Sequence, residues 1–269
     1  MPPPDLIDSH AHVDAPEFAA DRDAVIARAH AAGVTRMITV GYDQATWDTA
    51  TALVKAHPGA GLYLALGIHP NSAYETSDET LAALAARIRA GRTGTGPPRV
   101  VGLGETGLDY YREWATPEQQ RASFRAQLAL ARELDLPVII HDRDAHTGIM
   151  DIVRRDGQGT RGVMHAFSGD VAMAEECLRL GYLISLAGPV TFPKATDRHA
   201  VARAVPLSGL LVETDCPYLT PVPFRGKRNE PAYVAHTAAR IAELKGVPLE
   251  TVAAATTANA VALFGLDSC

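Results

Sequence analysis

VVGLGETGLDYYREWATPEQQRASFRAQLALARELDLPVIIH, residues 100–141, contains a complete strand–helix–strand unit. The short apolar runs at 100–105 and 138–141 predict two buried strands. Between them, apolar residues recur at helical spacing from 116 to 134, which predicts an amphipathic helix with Thr116 as its cap and Pro117 in its first turn. A helix that connects two strands in this way places the strands parallel in one sheet.

The same alternation of strand and helix continues along the whole chain. Helical patterns also occur at 79–88 and at Leu249–Phe264, and we expect the latter to be an additional C-terminal helix. The eight strand-like runs lie at 6–12, 36–41, 62–68, 100–105, 138–141, 162–165, 183–186 and 210–213. Eight strands with intervening helices favour a closed barrel over an open sheet, so we expect an α/β protein with a (β/α)8 TIM-like barrel.

The length and composition of the chain predict one domain. A chain of 269 residues with 47% hydrophobic residues can bury one large core, so we expect a single domain over residues 1–269. The Gly/Thr/Pro segment at 91–98 has the composition of a surface loop. No apolar run reaches the length of about 18 residues that a membrane span needs, and residues 1–5 do not resemble a signal peptide. We expect a cytoplasmic protein that does not contact a membrane.

The charge and the cysteines exclude several classes of protein. A net charge of −6 argues against a protein that coats nucleic acid with a broad basic surface, although it allows a nuclease with one local cleft. The cysteines, Cys177, Cys216 and Cys269, are odd in number and widely spaced, so they predict neither a disulfide framework nor a thiolate metal site.

Polar residues stand at or just past the carboxyl ends of the predicted strands, and these ends converge on one face of a parallel barrel. They are His10, His12, Glu105, His141, His165 and Asp215. Because side chains alternate along a strand, the His10 and His12 imidazoles should point the same way. An acidic residue such as Glu105 after a buried run would be costly to desolvate without a cation or partner. The six residues together predict a two-metal site.

Each of these residues also has an ordinary explanation. Two histidines two residues apart occur often by chance, and His141 and His165 could be hydrogen-bonded core histidines. Asp215 could form an ion pair with an arginine inside the barrel. All six explanations would have to hold together on the same barrel face, which makes the metal site the better interpretation.

Seven motifs of the chain resemble those of the TatD-type metal-dependent deoxyribonucleases. They are DSHAH, GIHP, GETGLDYYR, HDRDA, HAFSG, ETDCPYL and PFRGKRNEP, and they occur in order across residues 5–231. The resemblance also implies a TIM-like barrel. Two departures from the family pattern, Ala166 in HAFSG and Asn71 after GIHP, do not involve a proposed metal ligand.

The resemblance implies how the ligands divide between two divalent ions. His10, His12, Glu105 and Asp215 would hold one ion, and Glu105 would bridge to a second ion held by His141 and His165. The family uses Mg²⁺, Mn²⁺ or Zn²⁺, and a mixed nitrogen and oxygen ligand set suits Zn²⁺ or Mn²⁺ better than an oxygen-only Mg²⁺ cage. The resemblance associates His69 in GIHP with the substrate or an additional metal.

Two divalent ions can activate a water and stabilise an in-line phosphoryl displacement. We expect Asp215 to be the general base, Glu105 to bridge the ions and His69 to help the leaving group depart. Basic residues after the last strand, Arg225, Lys227 and Arg228, predict a phosphate-binding loop, although a short basic cluster is often only a solvated loop.

Further candidate substrate contacts are Arg143 and Tyr110. Other aromatic residues of the same face, Tyr111, Tyr218 and Phe224, could stack an unpaired base or only form the wall of the pocket. The predicted substrate is DNA, single-stranded or accessible at an end, and the resemblance implies 3′ to 5′ exonuclease action. We expect a monomer without an obligate protein partner.

Three alternatives stay open at this point. Some TatD-like proteins are D-aminoacyl-tRNA deacylases, which would use the same metal site on an ester carbonyl. A cyclic-amide hydrolase shares the HxH start but often bridges its ions with a modified lysine, and this chain has Glu105 at that position. A metal-stabilised binding protein without turnover would melt in a metal-dependent way and hydrolyse nothing.

Overall fold

The computed structural model describes residues 3–91, 98–112 and 114–267, and eight parallel strands in these residues form one sheet in chain order. The strands are β1 (Leu6–Ala11), β2 (Val34–Gly41), β3 (Leu62–Leu66), β4 (Val100–Asp109), β5 (Val138–Arg143), β6 (Gly162–Met164), β7 (Tyr182–Leu186) and β8 (Leu210–Val212). The predicted (β/α)8 barrel is confirmed. Of the expected surface loop at 91–98, the part from 92 to 97 lies outside the described residues.

Helices follow the strands, and a final helix follows the last βα unit. The helices are α1 (Arg22–Ala31), α2 (Gln44–Ala56), α3 (Asp78–Ala90), α4 (Pro117–Glu133), α5 (His146–Asp156), α6 (Val171–Arg179), α7 (Thr196–Ala204), α8 (Val234–Lys245) and α9 (Leu249–Phe264). At the start of α4, the Thr116 hydroxyl accepts the Gln119 N–H and the Gln119 side chain accepts the Thr116 N–H. This capping box explains why the helix begins where the sequence predicts.

Backbone hydrogen bonds just beyond β8 close the barrel. The Asp215 N–H donates to the His10 carbonyl oxygen, and the His12 N–H donates to the Cys216 carbonyl oxygen, both at 2.9 Å. The buried Asp8 carboxylate accepts the Thr214 N–H at 2.9 Å and the Thr214 hydroxyl at 2.5 Å. The segment that joins the last strand to the first is therefore the segment that carries Asp215.

An apolar cluster fills the barrel below the polar residues. Ile139, Val163 and Leu211 belong to it, and each precedes by two residues a polar side chain on the same strand face. Helix α9 contributes Phe264 to the same cluster, and a Cβ on Gly102 would lie 3.2 Å from the Phe264 ring. Helix α9 therefore closes the amino-terminal end of the barrel, as the apolar sequence of this helix suggests.

Strands β4 and β5 extend further than the sequence predicts, because they pair with each other beyond the end of the barrel. The pairing continues to Asp109 and Arg143, although we expected these strands to end at Glu105 and His141. The β4–β5 register shifts between Gly104 and Thr106. Glu105 therefore lies at an irregularity inside β4 rather than at its end, and such irregularities redirect a side chain.

Among the described residues, no single helix is long and apolar enough to cross a membrane, although the bent pair Pro231–Lys245 and Leu249–Phe264 meets that test by length and composition. The described cysteines, Cys177 and Cys216, are both buried and free.

Candidate metal centre

Seven side chains converge at the carboxyl-terminal face of the barrel. They are His10, His12, His69, Glu105, His141, His165 and Asp215. The structure thus brings together all six of the predicted metal ligands and His69 as well. None of these side chains is more than 15% exposed, so the cluster is nearly closed to bulk water.

The two histidines of the HxH motif face each other. His10 Nε2 and His12 Nε2 lie 3.3 Å apart. His12 Nδ1 lies 3.0 Å from the Val40 carbonyl oxygen, and because a carbonyl can only accept, Nδ1 must carry the proton. When the ring is neutral, Nε2 is the unprotonated nitrogen that faces the cluster, and this is the form that binds a metal. Burial lowers the pKa of His12, but Asp215 and Glu105 outweigh it and raise the pKa to about 9.

The two oxygens of Glu105 divide the cluster into two halves. Oε1 lies 2.5 Å from His141 Nδ1 and 3.2 Å from His165 Nε2. Oε2 lies 3.5 Å from His10 Nε2 and 4.0 Å from His12 Nε2. This carboxylate stands between the two ligand sets that the family resemblance implies.

A buried carboxylate supports His165 from the opposite side. Glu213 Oε1 lies 2.8 Å from His165 Nδ1 and accepts the Ala166 N–H at 2.6 Å. If the His165 Nδ1 proton points to Glu213, Nε2 is left unprotonated toward Glu105. Carboxylate partners of this kind fix the ring orientation and the tautomer of metal-binding histidines.

Asp109 contacts the other half of the cluster. Its Oδ2 lies 3.4 Å from His141 Nε2, while its Oδ1 accepts the N–H groups of Tyr111 and Arg112, both at 3.0 Å. We did not predict a role for either Asp109 or Glu213. The signal for Glu213 was present, because it follows Leu211 by two residues, as His141 follows Ile139 and His165 follows Val163. Asp109 lies beyond the irregularity in β4, so alternation counted from Glu105 does not predict its position.

The hydrogen bonds of His69 distinguish it from the other histidines. The Asn71 N–H donates to His69 Nδ1 at 3.0 Å, so Nδ1 is the unprotonated nitrogen. Nε2, which lies 3.6 Å from Glu105 Oε1, then carries the proton when the ring is neutral. A protonated nitrogen donates a hydrogen bond and does not bind a metal, which agrees with the predicted role beside the main pair.

Asp215 occupies an uncommon backbone conformation. Its φ of 55° lies in the left-handed region that non-glycine residues rarely adopt. Its Oδ1 lies 3.5 Å from His12 Nε2 and 3.7 Å from His10 Nε2. The barrel-closing hydrogen bond from the Asp215 N–H holds this conformation, and such strain at a site is typical of functional residues.

Burial penalises charge throughout the cluster, so opposite charges nearby decide most pKa shifts. At His141, burial lowers the pKa, but Glu105 and Asp109 outweigh it and raise the pKa to about 9. At His69, burial prevails and lowers the pKa to about 3. Burial raises the pKa of Glu105, yet the imidazoles around it outweigh that effect and hold the pKa well below its usual range.

Three groups of candidate ligand atoms each lie within 4.8 Å of one another: His10 with Glu105 and His165; His10 with His12 and Asp215; and His69 with Glu105 and His141. The imidazole nitrogens and carboxylate oxygens that face this buried space can supply lone pairs to a cation once protons leave the imidazoles. His10 Nδ1 is one buried polar atom with no hydrogen-bond partner. This donor set fits divalent ions that accept nitrogen and oxygen ligands, with no sulfur involved.

The predicted substrate contacts lie at the end of β5 and on the loops that follow β4 and β8. The Arg143 guanidinium carbon lies 3.8 Å from the centre of the Tyr111 ring, and the Tyr110 hydroxyl accepts a hydrogen bond from Arg121 at 3.0 Å. The Arg225 guanidinium carbon lies 4.6 Å from the centre of the Phe192 ring, and Lys227 is exposed.

Arg228 differs from its two basic neighbours. Its guanidinium forms two contacts of 2.8 Å with Asp21, so the charge that we expected to contact phosphate is paired within the chain. Arg228 thereby attaches the loop to the turn before α1. Among the described residues, Arg225 and Lys227 form no ion pair and stay available to an anion.

Comparison with known proteins identifies the family of the chain. The sequence profile of the family described as TatD related DNase matches residues 7–265. The chain belongs to this TatD family. This TatD-family protein is 40% identical over 97% of its length to all of the Bacillus subtilis protein named uncharacterized metal-dependent hydrolase YabD. The family assignment makes the chain a metal-dependent hydrolase.

Two further relatives of this TatD-family protein have a solved structure or a named activity. The crystal structure of YJJV, a TatD homologue from Escherichia coli K12, superposes with a TM-score of 0.88 at 35% identity and covers 97% of this chain and 98% of its own. A Klebsiella pneumoniae protein named 3′-5′ ssDNA/RNA exonuclease TatD is 35% identical, over 97% of this chain and 98% of its own.

Proposed function

We propose that the chain is an exonuclease that hydrolyses single-stranded DNA from its 3′ end. The observation that carries the proposal is the position of Glu105, whose two carboxylate oxygens face two separate sets of imidazoles. The relative named as a 3′-5′ ssDNA/RNA exonuclease supports the substrate and the direction. The exposed basic residues Arg143, Arg225 and Lys227, beside a buried acidic and imidazole cluster, suit a phosphate backbone.

The residues present would hold two divalent ions. His10, His12 and Asp215 would hold one ion, His141 and His165 the other, and Glu105 would be shared between them. Mg²⁺, Mn²⁺ and Zn²⁺ are the candidates. Such ions would supply a lowered pKa for a water molecule and positive charge to stabilise the phosphoryl transition state.

The chain's own residues would move the protons. Burial raises the pKa of Asp215, but the imidazoles of His12, His165 and His10 together outweigh burial and lower the pKa, so this carboxylate is ionised at neutral pH. Asp215 can therefore accept a proton from the attacking water at Oδ1 or Oδ2. His69 Nε2 carries a proton in the neutral ring and would donate a hydrogen bond to the leaving oxygen.

We also propose that residues 1–269 act as one domain, as a monomer and in the cytoplasm. The single domain is supported by contacts between distant parts of the chain: α9 packs on β1 and β8, and the backbone around Asp215 bonds to β1.

The test is nucleotide release from a single-stranded oligodeoxynucleotide with Mg²⁺ or Mn²⁺. Wild type should release nucleotides, and both EDTA and Glu105→Ala should abolish the release. Glu250→Ala, which removes an exposed carboxylate on α9, is the matched control and should act like wild type. Labels at the 5′ or the 3′ end report the direction, because a 3′ to 5′ enzyme releases a 3′ label first.

One result would replace this proposal with the ester alternative. A folded, metal-loaded wild type could leave the oligonucleotide intact and hydrolyse D-aminoacyl-tRNA instead. The same Glu105→Ala and EDTA arms would then show that the ester reaction uses this metal centre.

A further inference from the structure

A cavity of about 380 Å³ lies beside the metal centre, in the loop between β4 and α4. Its lining includes Asp109, Tyr110, Arg112, Trp114 and Gln120. The volume is within the range of roughly 300–1,000 Å³ that is typical of small-molecule sites. The cavity is separate from the cluster of imidazoles and has no part in the proposed chemistry described above.

Asp109 forms the wall that the cavity shares with the metal centre. One of its oxygens lies 3.4 Å from His141 Nε2, and the other accepts the N–H groups of Tyr111 and Arg112. A single side chain therefore separates the cavity from a candidate metal ligand and also holds the loop that lines the cavity. A ligand in the cavity would lie next to the reacting group.

Trp114 and Arg112 give the cavity an aromatic face beside a cation. The Trp114 side chain is 65% exposed, and the Arg112 guanidinium carbon lies 5.0 Å from its ring centre. In the described part of the chain, Arg112 forms no ion pair. Stacking surfaces next to free arginines are typical of sites that bind single-stranded nucleic acid.

Exposed apolar side chains also gather on the loops around the cavity. In the ranges that the structure describes, the exposed large apolar side chains all follow β3, β4 or β8: Tyr74, Tyr111, Trp114, Tyr218, Leu219 and Val222. These loops surround the metal centre. Apolar groups gathered on one exposed rim indicate a binding surface, because soluble proteins otherwise expose such groups singly.

We propose that the cavity binds one unpaired base of the substrate strand, stacked on Trp114, with Arg112 contacting the adjacent phosphate. This inference rests on the proposed nuclease function and deepens it. A base in a duplex is already stacked and paired, so it would have to leave the helix to enter the cavity. The Trp114 site would therefore select unpaired strands.

Tryptophan fluorescence tests the binding without catalysis. The chain has two tryptophans, and Trp47 is buried, with its Nε1 donating to the Gly67 carbonyl oxygen at 2.7 Å. Quenching by a ligand therefore reports on Trp114. With EDTA present, an oligothymidylate should quench the emission of wild type, and an abasic oligonucleotide of equal length should not. Trp47→Phe should keep the quenching and Trp114→Phe should lose it.

Kinetics give the second measurement. Trp114→Ala should raise KM for the oligothymidylate about ten-fold, as expected for the loss of one stacked base, and Trp114→Phe should restore most of the affinity. The difference between wild type and Trp114→Ala should shrink on the abasic strand.

The two proposals can fail separately. Equal quenching by the abasic strand, or an unchanged KM in Trp114→Ala, would overturn the base site while DNA hydrolysis stands. Base-dependent quenching without any hydrolysis would support the base site and overturn the nuclease.

Discussion

Glu213 Oε1 lies 2.8 Å from His165 Nδ1, while Glu105 Oε1 lies 3.2 Å from the opposite ring nitrogen. The imidazole is thus held between two carboxylates, one toward the metal centre and one behind it. The Ala166 N–H also donates to Glu213 Oε1, which fixes the position of this oxygen. We therefore predict that Glu213 acts on the site through His165, as a positioning residue.

Replacing Glu213 should weaken metal binding, and the loss should be smaller if the new side chain keeps an acceptor oxygen. Glu213→Ala removes the acceptor for His165, so we expect metal affinity to fall about 10-fold to 100-fold. Glu213→Gln keeps an acceptor oxygen and should lose less. Metal titration of the EDTA-treated protein measures both affinities. Equal losses in the two variants would mean that the charge, and not the hydrogen bond, is what matters.

Replacing His69 should lower activity without loss of metal, whereas replacing His141 should lower the metal content. Because the Asn71 N–H keeps His69 Nδ1 unprotonated, His69→Ala should retain the metal content of wild type and lower kcat with little change in KM. His141→Ala should lose metal, since this histidine contacts Glu105 directly. Metal content of the purified variants, measured by mass spectrometry alongside kcat, separates the roles. Loss of metal in His69→Ala would contradict this prediction and indicate that His69 is a metal ligand.

Arg225 and Arg228 form a matched pair for testing phosphate contact. Arg225 is exposed and free of ion pairs in the described structure, so Arg225→Gln should weaken binding of single-stranded DNA. The slope of log affinity against log salt concentration should fall in magnitude by about 0.7, as expected for one lost phosphate contact. Arg228→Gln breaks the contact with Asp21 and should lower the melting temperature with the slope kept. Binding titrations at several salt concentrations decide between them, and equal slopes for wild type and Arg225→Gln would remove Arg225 from the interface.

The ion pair of His57 with Asp23 should make stability depend on pH. Hydrogen bonds to Asp23 and to the Leu53 carbonyl raise the pKa of His57 above its usual value of 6.5. The stabilisation is fully present below the pKa of the unfolded chain and is lost as pH rises through the folded pKa. Because the Asp23 side chain is 90% exposed, the effect should stay below about 1 kcal/mol.

Urea unfolding of wild type and Asp23→Asn measures this effect. The difference in unfolding free energy between the two proteins should be larger at about pH 5.5 than at about pH 8.5. His57→Asn serves as the control, because without the imidazole the Asp23→Asn change should cost the same at both pH values. A difference that grows with pH would contradict the assignment.

The barrel and the convergence of the candidate ligands were predictable because they depend on local patterns. The strand–helix–strand unit at 100–141 is visible in the periodicity, and the alternation along β1 places His10 and His12 on one face. All six predicted ligands meet in the structure.

Interactions between distant residues were not predictable in the same way. The extra length of β4 and β5 comes from their pairing with each other, and a single-strand pattern does not show this. Arg228 looked like its neighbour Arg225 until its partner Asp21, in the turn before α1, was known. The tautomer of His69 likewise depends on one backbone N–H.

Helix α9 leaves the barrel with a single open end, because Phe264 and its neighbours fill the end opposite the candidate metal centre. A DNA strand cannot thread through a barrel that is closed at one end, so the strand end must enter and leave by the same opening. For the proposed reaction, the freed nucleotide leaves by the route through which the strand came in. Each catalytic cycle on a long strand therefore requires that the released nucleotide leave through this opening before the shortened strand end binds again.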